Sequence, residues 1–447
     1  DLSDKNMKIL PVSLWLNAPE AVVAFRGAQP LLRSTMRKEV VALAARLKAS
    51  SGARWALCFD DSYRFCVALL AAWYAGKTPI IPGHCRARPL EEMRAELDGV
   101  VSDMPLNITL PHLMWRDEES EDELPPLPED AALVLFTSGS TGAPRAVRKP
   151  LAAMELEAQW LADRWGARAS QCRFIASVSH QHLYGLSFRL FLPMALCRPF
   201  SARQVLYSEQ LTEQDRRERY VFISSPAFLR RLDASLAAPE CALVISAGGA
   251  LEEKEAHAAQ QVLGCHVNEI YGSTETGIIA WRQRDDEARS WRSFPAVRLQ
   301  QTACGRWQLW SDLIPDGGWL LDDRLAMLDS GDFQLAGRLD RVVKIEDKRV
   351  SLSEVERRIQ AMPGVVDVAA LAITRRGRSA VAVAVQLDAQ PAATELSQLK
   401  RTWRAQLHQW LEPVALPRYW RIVEAIPVTS QSKRAWAEIE ELFHVAG

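Results

Sequence analysis

The sequence has 447 residues, 48% of them hydrophobic, and this length favours at least two domains that each bury a core. Its 54 basic and 55 acidic residues give a formal net charge of −1, which supports neither a nucleic-acid partner nor a polybasic membrane contact. Charged residues or glycine interrupt the longest apolar stretches well before about 18 residues, so no membrane-spanning helix is predicted.

The eight cysteines form neither a CxxC pair nor a Cys/His ladder. This spacing favours free, buried thiols in a reducing compartment over a disulfide framework or a zinc site. We therefore expect a cytoplasmic protein.

The first recognisable elements lie in residues 53–83 and have the order strand, helix, strand. The helix has a candidate N-cap at Ser62 and ends before Gly76, a residue type suited to helix termination. The alternation of strands with helices predicts a parallel sheet and an α/β fold.

An acidic and then proline-rich stretch, RDEESEDELPPLPED (116–130), predicts an exposed loop. Several apolar runs follow it, and the later ones end in small or turn-forming residues. They predict strands whose ends carry loops, where ligands bind in open α/β sheets. The runs are residues 131–136, 220–224, 241–247 and 265–272.

A second region, beginning near residue 338, has the pattern of a small α+β unit of roughly a hundred residues. A capping box from Ser351 to Glu354 predicts the start of its first helix. The pattern predicts strands at 341–345, 367–374 and 380–387 and helices at 354–362 and 395–411.

The segment LVLFTSGSTGAPRAV (133–147) joins an apolar strand to a loop of Gly, Ser and Thr. Backbone N–H groups in such a loop can bind phosphate oxygens, and hydroxyl groups can add donors. The spacing of Gly139 and Gly142 fits neither the Walker loop nor the GxGxxG fingerprint. Composition alone leaves a flexible surface turn as the alternative. The candidate hydroxyl donors are Thr137, Ser138, Ser140 and Thr141.

This loop, TSGSTGAPRAV, resembles the phosphate loop of the adenylate-forming, or AMP-binding, superfamily. That superfamily includes acyl-CoA synthetases, aryl-CoA ligases, peptide-synthetase adenylation domains and luciferases. Arg145 stands where the family usually has Lys, which keeps the charge but makes the donor wider and forked. The resemblance implies a nucleotide site that includes Thr137, Ser138, Gly139, Ser140, Thr141, Gly142 and Arg145.

Two more motifs follow in the family's order. SAGGA (246–250) resembles the turn that contacts adenine, which implies binding by Gly248, Gly249 and Ala250. NEIYGSTETG (268–277) resembles the YGxTE motif. The resemblance implies that the ring of Tyr271 stacks near adenine beside Gly272, that Thr274 contacts phosphate and that Glu275 holds magnesium.

The segment SGDFQLAGRLDRVVKI (330–345) resembles the family's GD and GRxDxxxK elements. By that resemblance Asp332 binds the ribose hydroxyls, Arg338 contacts ribose or phosphate, and Asp340 is an interdomain hinge. HQHLYGL (180–186) resembles the H-x-x-G element of the acid pocket, with His182 as the matching histidine.

The last motif, IPVTSQSKRAW (426–436), resembles the P-x-T-x-x-G-K signature and places Lys433 at the catalytic lysine. Ser432 replaces the usual Gly and could stiffen or reposition the loop. Lys433, Thr274, Glu275 and His182 are thus the expected catalytic set. Six matches occur in the correct order, whereas the first ~130 residues match the family only in their strand–helix pattern.

The resemblance implies an α/β fold with a large N-terminal domain of layered sheets and helices, residues 1–339. A small, mobile α+β domain, residues 340–447, would act as a lid that carries Lys433. The small domain would rotate about Asp340 between two reaction steps.

The implied reaction joins a carboxylic acid to ATP, with Mg²⁺, and releases pyrophosphate. The adenylate gives the acid a leaving group, and the displacement needs alignment and charge neutralisation more than a base. Lys433 would bridge the carboxylate and the α-phosphate. A thiol of coenzyme A or of an acyl carrier protein would then take the acyl group.

Two further features of the sequence bear on the identity of the thiol acceptor and of the acid. The family commonly has Gly where KIEDKR (344–349) has Asp347, and a side chain there could obstruct the pantetheine arm, which favours a carrier protein. Aromatic and apolar segments around the motifs favour an aryl or fatty acid over a small amino acid.

Two other interpretations stay open at this point. Arg145, Asp347 and Ser432 depart from the family pattern, as they would in a non-catalytic adenylate-binding or regulatory homologue. An unrelated α/β protein with coincidental motifs is the third interpretation.

Overall fold

The computed structural model describes residues 6–138, 144–249, 251–285, 290–338, 341–345, 348–430 and 432–444. The chain divides into two compact units. The first contains the chain up to Arg298 together with Leu309–Trp319, and the second contains Leu299–Gln308 and the chain from Leu320 onward.

In the described residues, the strands in chain order are β1 Val22–Arg26, β2 Gln29–Leu32, β3 Arg54–Cys58, β4 Thr78–Ile81, β5 Gly99–Ser102, β6 His112–Met114, β7 Ala132–Ser138, β8 Pro144–Pro150, β9 Cys172–Ala176, β10 Phe200–Ser201, β11 Arg219–Ser224, β12 Glu240–Ser246, β13 Val267–Ser273, β14 Gly277–Gln283, β15 Arg292–Ser293, β16 Arg298–Gln301, β17 Trp307–Trp310, β18 Gly318–Leu320, β19 Asp323–Met327, β20 Phe333–Arg338, β21 Val342–Ile345, β22 Lys348–Ser351, β23 Val365–Arg375, β24 Arg378–Leu387 and β25 Tyr419–Val423.

The α-helices of the same described ranges are α1 Arg33–Lys48, α2 Ser62–Tyr74, α3 Ala87–Glu92, α4 Leu151–Trp165, α5 Leu183–Gly185, α6 Leu192–Ala195, α7 Glu209–Thr212, α8 Pro226–Arg230, α9 Glu253–Leu263, α10 Leu352–Gln360, α11 Ala393–Leu407 and α12 Trp436–Glu441. A π-helix occupies Leu186–Phe191, and 3₁₀ turns occupy Val12–Leu14, Arg94–Glu96 and Pro413–Ala415.

Two large sheets form the first unit. The nine-stranded sheet has the order β15-β14-β13-β12-β11-β9-β10-β1-β2, and its central strands from β13 to β1 run parallel. The six-stranded sheet has the order β6-β5-β3-β4-β7-β8 and is parallel except for the β7–β8 pair. The predicted parallel α/β arrangement is therefore confirmed.

Helix α2 lies in the core of this unit. All of its residues except Arg64 are buried, as expected for a helix that is apolar on nearly every side. The Trp73 indole donates to the carbonyl of Ala132 in the six-stranded sheet, and its ring lies 6.4 Å from that of Phe191 in the π-helix. Packing on both sides explains why the helix has no polar face.

The N-cap of this helix corrects one prediction. Asp61, not Ser62, is the cap, because its carboxylate accepts the N–H of Arg64 at 2.9 Å. Ser62 is the first helical residue, and its hydroxyl bonds to Nδ1 of His180 at 2.6 Å. The predicted stop is confirmed, since Gly76 follows the helix with φ of 74°.

The second unit includes Leu299–Gln308 and the chain from Leu320, and its C-terminal part has an α+β arrangement. Strands β23, β24 and β25 form one sheet, in which the β23–β24 hairpin turns through Arg376 and Gly377, both with positive φ. Two consecutive left-handed residues fit a turn that follows the twist of the strands. Helix α10 begins at the predicted N-cap, where the Ser351 hydroxyl accepts the N–H of Glu354. Val355 and Ile359 bury the apolar side of this helix.

Two further features concern the chain as a whole. All eight cysteines are free thiols, and burial raises the pKa of Cys66 and Cys241. No helix within the described ranges combines the length and apolar character that crossing a membrane requires.

Candidate functional site

The predicted adenine turn and the YGxTE segment lie at one edge of the nine-stranded sheet. Strands β12 and β13 are parallel neighbours with Ser246 opposite Glu269, so the chain beyond Ser246 turns beside Tyr271. Gly248 has φ of 97° and open space where a Cβ would lie. The carboxyl edge of a parallel sheet is where such folds bind ligands.

Thr274 and Glu275 lie in the tight turn between β13 and β14, and both are half-buried. The Thr276 hydroxyl accepts the N–H of Ser273 at 3.1 Å and donates to the carbonyl of Gly277 at 2.8 Å. The Ser273 hydroxyl accepts the N–H of Thr276 at 3.2 Å. These reciprocal bonds close the base of the turn and hold Thr274 and Glu275 between them.

Glycine is required at two positions of this hairpin by close packing. A Cβ at Gly272 would lie 2.4 Å from the carbonyl oxygen of Gly277. Gly277 has φ of 69°, and a Cβ there would lie 2.8 Å from Oε2 of Glu157. Both glycines of YGSTETG therefore allow the two strands to approach each other and the helix beneath.

The aromatic and acidic residues of β13 are held by contacts from β14 and from the segment that follows it. The ring of Tyr271 is half-buried and lies 5.9 Å from that of Trp291. Glu269 is almost fully buried and accepts from Arg282 at 2.9 Å and Arg284 at 2.7 Å. The edge of the sheet is thus held by charge-assisted hydrogen bonds.

The ends of the glycine loop form an antiparallel pair. Thr137 at the end of β7 lies opposite Arg145 in β8, and Thr137 is buried. Arg145 is exposed, with its guanidinium 5.1 Å from the ring centroid of Trp319. Ser138 ends β7. Gly139, Ser140, Thr141 and Gly142 lie outside the described residues, as does Ala250 of the adenine turn.

His182 precedes a short helical turn that continues as the π-helix. Its carbonyl accepts the N–H of Leu186 at 2.9 Å. A Cβ at Gly185 would lie 1.9 Å from the carbonyl oxygen of Ser179, so the H-x-x-G glycine permits a close backbone approach. Tyr184 donates to the carbonyl of Ser224 at 2.9 Å, which brings this element to the carboxyl edge of the nine-stranded sheet.

The two histidines of HQHLYGL have different environments. His180 is buried between α2 and this loop, and its Nε2 donates to the carbonyl of Phe59 at 2.7 Å, because a carbonyl can only accept. Its Nδ1 then accepts from Ser62. Burial lowers the pKa of His180 well below its ordinary value, so this ring is a neutral structural group. His182 is only half-buried.

Two buried charged groups lie beneath the β13–β14 hairpin. Glu157 of α4 accepts the N–H of Ile278 at 3.1 Å and the hydroxyl of Ser187 in the π-helix. Lys149 of β8 points its ammonium at the carbonyl of Glu275, 3.5 Å away. Burial lowers the pKa of Lys149 and raises that of Glu157.

The remaining predicted site residues belong to the second unit. Asp332 lies in the turn between β19 and β20, where its carbonyl accepts the N–H of Leu328 at 2.8 Å. Arg338 ends β20 opposite Asp323. Asp340 and Asp347 lie outside the described residues.

Lys433 is exposed at the end of a tight turn of the second unit. Its carbonyl accepts the N–H of Thr429 at 2.6 Å. Arg434, the next residue, makes two bonds to the carboxylate of Asp367, at 2.9 and 2.8 Å. Ser432 has φ of 58°, which is the left-handed conformation that glycine adopts without strain.

The sequence analysis did not identify four residues that hold the elements of this site in place. Tyr184, Lys149, Glu157 and Glu269 were not singled out, because each acts through a contact with a distant part of the chain. A charged residue within an otherwise apolar pattern, as at Glu157 in α4, is the signal that could have identified one of them.

Comparison with known proteins gives a family match and several relatives. Residues 84–299 match the family model described as AMP-binding enzyme. The 4-coumarate–CoA ligase of Halorhodospira halophila is 30% identical over 321 residues, which cover 68% of this chain and 75% of that protein. The L-proline–[L-prolyl-carrier protein] ligase of Streptomyces coelicolor is 26% identical over 435 residues, covering 78% and 81%.

Solved structures show the same fold. The ATP-bound RpMatB-BxBclM chimera B1 superposes with a TM-score of 0.82 at 18% identity, covering 97% of this chain and 99% of that one. The predicted class, an α/β protein with a large sheet-rich unit and a smaller C-terminal unit, is therefore confirmed.

We predict that Gly277→Ala destabilises the protein by about 2–4 kcal/mol, because the new methyl group combines positive-φ strain with a collision against Glu157. Gly264→Ala is the matched control, since Gly264 has φ of 75° and nothing within 4 Å of its Cβ position. Urea unfolding of both variants measures the difference. Equal losses in the two variants would show that the contact with Glu157 contributes nothing.

Proposed function

Because the chain belongs to the family of AMP-binding enzymes, we propose that it activates a carboxylic acid with ATP and transfers the acyl group to a thiol. The observation that carries the proposal is the clustering of three elements at one sheet edge: the Gly248 turn, the hairpin of Thr274 and Glu275, and the His182 element. A turn suited to adenine, polar groups suited to phosphate and a loop suited to the acid thus lie in one unit.

We infer the nucleotide contacts from the local geometry and from the resemblance of the motifs. The half-buried ring of Tyr271, with Gly248 and Gly249 alongside, offers a flat surface and open backbone for adenine. We assign the phosphates to Thr274, to Arg145 and to the loop from Thr137 to Gly142. Asp332 and Arg338 of the second unit are assigned to the ribose. An acidic group suits a diol because it accepts two hydrogen bonds.

Glu275 has the features of a magnesium ligand. Its side chain is half-buried, and its carboxylate accepts no hydrogen bond from the described residues. A single carboxylate is enough for this role, since Mg²⁺ commonly binds one or two carboxylates together with substrate phosphates. Bound there, Mg²⁺ would screen the phosphate charges. Glu275 would hold that ion in place.

We assign the catalytic cation to Lys433. Its side chain is exposed, and the next residue, Arg434, is held by two hydrogen bonds to Asp367. These bonds fix the end of the turn that carries Lys433. The charge would bridge the incoming carboxylate and the α-phosphate. We further propose that residues 340–447 act as a lid about Asp340, which would deliver Lys433 for the first step and withdraw it for the second.

For the acid, we propose an aryl or fatty carboxylate that contacts His182. The element that carries His182 is apolar around Tyr184 and Phe188, whose rings lie 4.9 Å apart. The 4-coumarate–CoA ligase relative supports an aryl acid.

For the acceptor, we propose an acyl carrier protein in preference to coenzyme A. The prolyl-carrier-protein ligase of S. coelicolor supports a carrier, whereas the 4-coumarate–CoA ligase supports coenzyme A. Asp347, in place of the glycine common in the family, favours the carrier, because its carboxylate would oppose the several phosphates of coenzyme A. The eight free thiols favour a cytoplasmic site for this reaction.

The decisive experiment is a screen of aryl, fatty and amino acids for acid-dependent pyrophosphate release and hydroxamate formation. We expect turnover with at least one aryl or fatty acid. Nucleotide binding without turnover across all three classes would instead identify a non-catalytic adenylate-binding homologue.

We predict that Lys433→Ala lowers the rate of adenylate formation by about 10²–10³-fold, because a charged donor used chiefly in the transition state is lost. ATP binding and thermal unfolding are expected to stay near wild type, since the side chain is exposed. Pyrophosphate exchange measures the rate, with Lys400→Ala as the control in the same unit. Exchange within twofold of wild type would rule out the assignment.

We predict that Glu275→Gln raises the magnesium concentration needed for half-maximal rate and slows the first step, because a neutral amide is a weaker ligand than a carboxylate. Glu213→Gln, an exposed change in the same unit, is the control. A magnesium titration of pyrophosphate exchange decides the matter, and superimposable curves for the variant and wild type contradict the assignment.

We predict that Asp347→Gly improves thioester formation with coenzyme A several-fold and leaves pyrophosphate exchange unchanged. A change of about fivefold corresponds to roughly 1 kcal/mol, as expected for one partly screened charge. Asp347→Asn separates charge from size, since it keeps the side chain and removes the carboxylate. If wild type already uses coenzyme A as fast as it forms adenylate, and neither variant is faster, the preference for a carrier has no support.

A further inference from the structure

Lys149, Glu157 and Ser187 form a buried polar cluster within the first unit. Lys149 is 3% exposed, Glu157 4% and Ser187 3%. None of them belongs to the motifs that resemble the family's functional residues. A lysine and a glutamate so completely removed from water are uncommon unless each has a partner.

Glu157 accepts hydrogen bonds from two separate segments of the chain. Its Oε1 accepts the hydroxyl of Ser187 in the π-helix that continues from the His182 element. Its Oε2 accepts the N–H of Ile278, the second residue of β14 after the turn that holds Thr274 and Glu275. The left-handed Gly277 lies directly against the same oxygen. A single carboxylate therefore links the acid-binding element to the hairpin.

Lys149 links a third segment to the same hairpin. It lies in β8, which emerges from the glycine loop, and it is paired with Leu133 of β7. Its ammonium points at the backbone carbonyl of Glu275, 3.5 Å away, and the carboxylates of Glu157 and Glu275 both stabilise its charge. The backbone of Glu275 is thereby attached to the strand that continues the phosphate-binding loop.

Stability alone does not account for these charges. Replacing a buried charged pair with apolar residues of similar volume is often neutral or stabilising, because the desolvation of two ions is costly. Removing one partner is strongly unfavourable, since the other is left uncompensated. The two charges are better explained by the places at which they act on the hairpin backbone. Lys149 supplies a donor to the carbonyl of Glu275, and Glu157 supplies an acceptor to the N–H of Ile278.

We propose that Lys149 and Glu157 are positioning residues, which hold the Glu275 hairpin at a fixed place relative to strand β8 and the proposed acid-binding element. The inference rests on the proposed function, in which Glu275 binds Mg²⁺ and Thr274 contacts phosphate. Lys149 acts on the metal end of the nucleotide site through the backbone of Glu275. Glu157 couples that end to the His182 element through Ser187.

The experiment measures binding rather than turnover, so it needs no knowledge of the acid. The full-length protein is unfolded thermally at a fixed ATP concentration while MgCl₂ is varied, and the increase in melting temperature reports nucleotide binding. The variants are Lys149→Met, Glu157→Gln and the double variant. Ser187→Ala is a milder change that keeps both charges. Glu155→Gln, on the same helix, and Lys38→Met, on the surface, are the controls.

We expect Lys149→Met to raise the magnesium concentration for half-maximal stabilisation by about 10-fold, the usual scale for loss of a residue that supports a metal ligand. Ser187→Ala should raise it less, and the two controls should not raise it. The single variants should also melt at lower temperatures than wild type without nucleotide, because each leaves a buried charge unbalanced. The double variant should regain most of that melting temperature yet keep the raised magnesium requirement.

The outcomes separate this inference from the proposed function. If ATP and MgCl₂ do not stabilise wild type at all, the nucleotide site itself is wrong. If wild type is stabilised and Lys149→Met has the same magnesium requirement, the positioning role is wrong. If the double variant regains both its melting temperature and the wild-type requirement, the cluster only balances charge, and the inference is also overturned.

Discussion

The close approach of two backbone segments at Gly272 and Gly277 is the constraint on which the site depends. With the oxygen of Gly277 only 2.4 Å from the Cβ position of Gly272, β13 and β14 can pair tightly enough to make the short turn between them. Ser273 and Thr276 then close that turn with reciprocal hydrogen bonds. The turn fixes the backbone of Glu275, the predicted magnesium ligand. The position of Glu275 is therefore set by the packing of the two strands and not by its own side chain.

Two parallel sheets explain why distant motifs can meet at this hairpin. In a parallel sheet all carboxyl ends lie at the same edge, so segments separated by many residues become neighbours without long loops. The predicted adenine turn follows β12, and the YGxTE segment begins in β13, its neighbour. The strand β8 belongs to the other sheet, and Lys149 bridges from it to the hairpin. The site of the first unit is therefore built where the two sheets come together.

Much of this arrangement was predictable from sequence, and the failures have a physical pattern. The strands and helices at 53–83 and beyond residue 338 were found because their apolar periodicity is local. The N-cap was misassigned to Ser62 because Asp61 and Ser62 are both good caps, and only the tertiary contact with His180 decides between them. Lys149 was missed for the same reason, since nothing local indicates that its charge is buried. Glu157 had one local signal, a charge within the apolar pattern of α4, but its partners lie in distant segments.

Ser432 shows how a side chain is accommodated at a position where the resemblance places a glycine. Its φ of 58° lies in the left-handed region, which glycine adopts without strain. That conformation costs a non-glycine residue roughly 1–2 kcal/mol, so the surrounding contacts must hold it in place. The paired bonds from Arg434 to Asp367 and the bond between Thr429 and Lys433 do so on either side of the turn. The contacts on both sides of the turn thus accommodate Ser432 directly before Lys433, in spite of the strained backbone at that position.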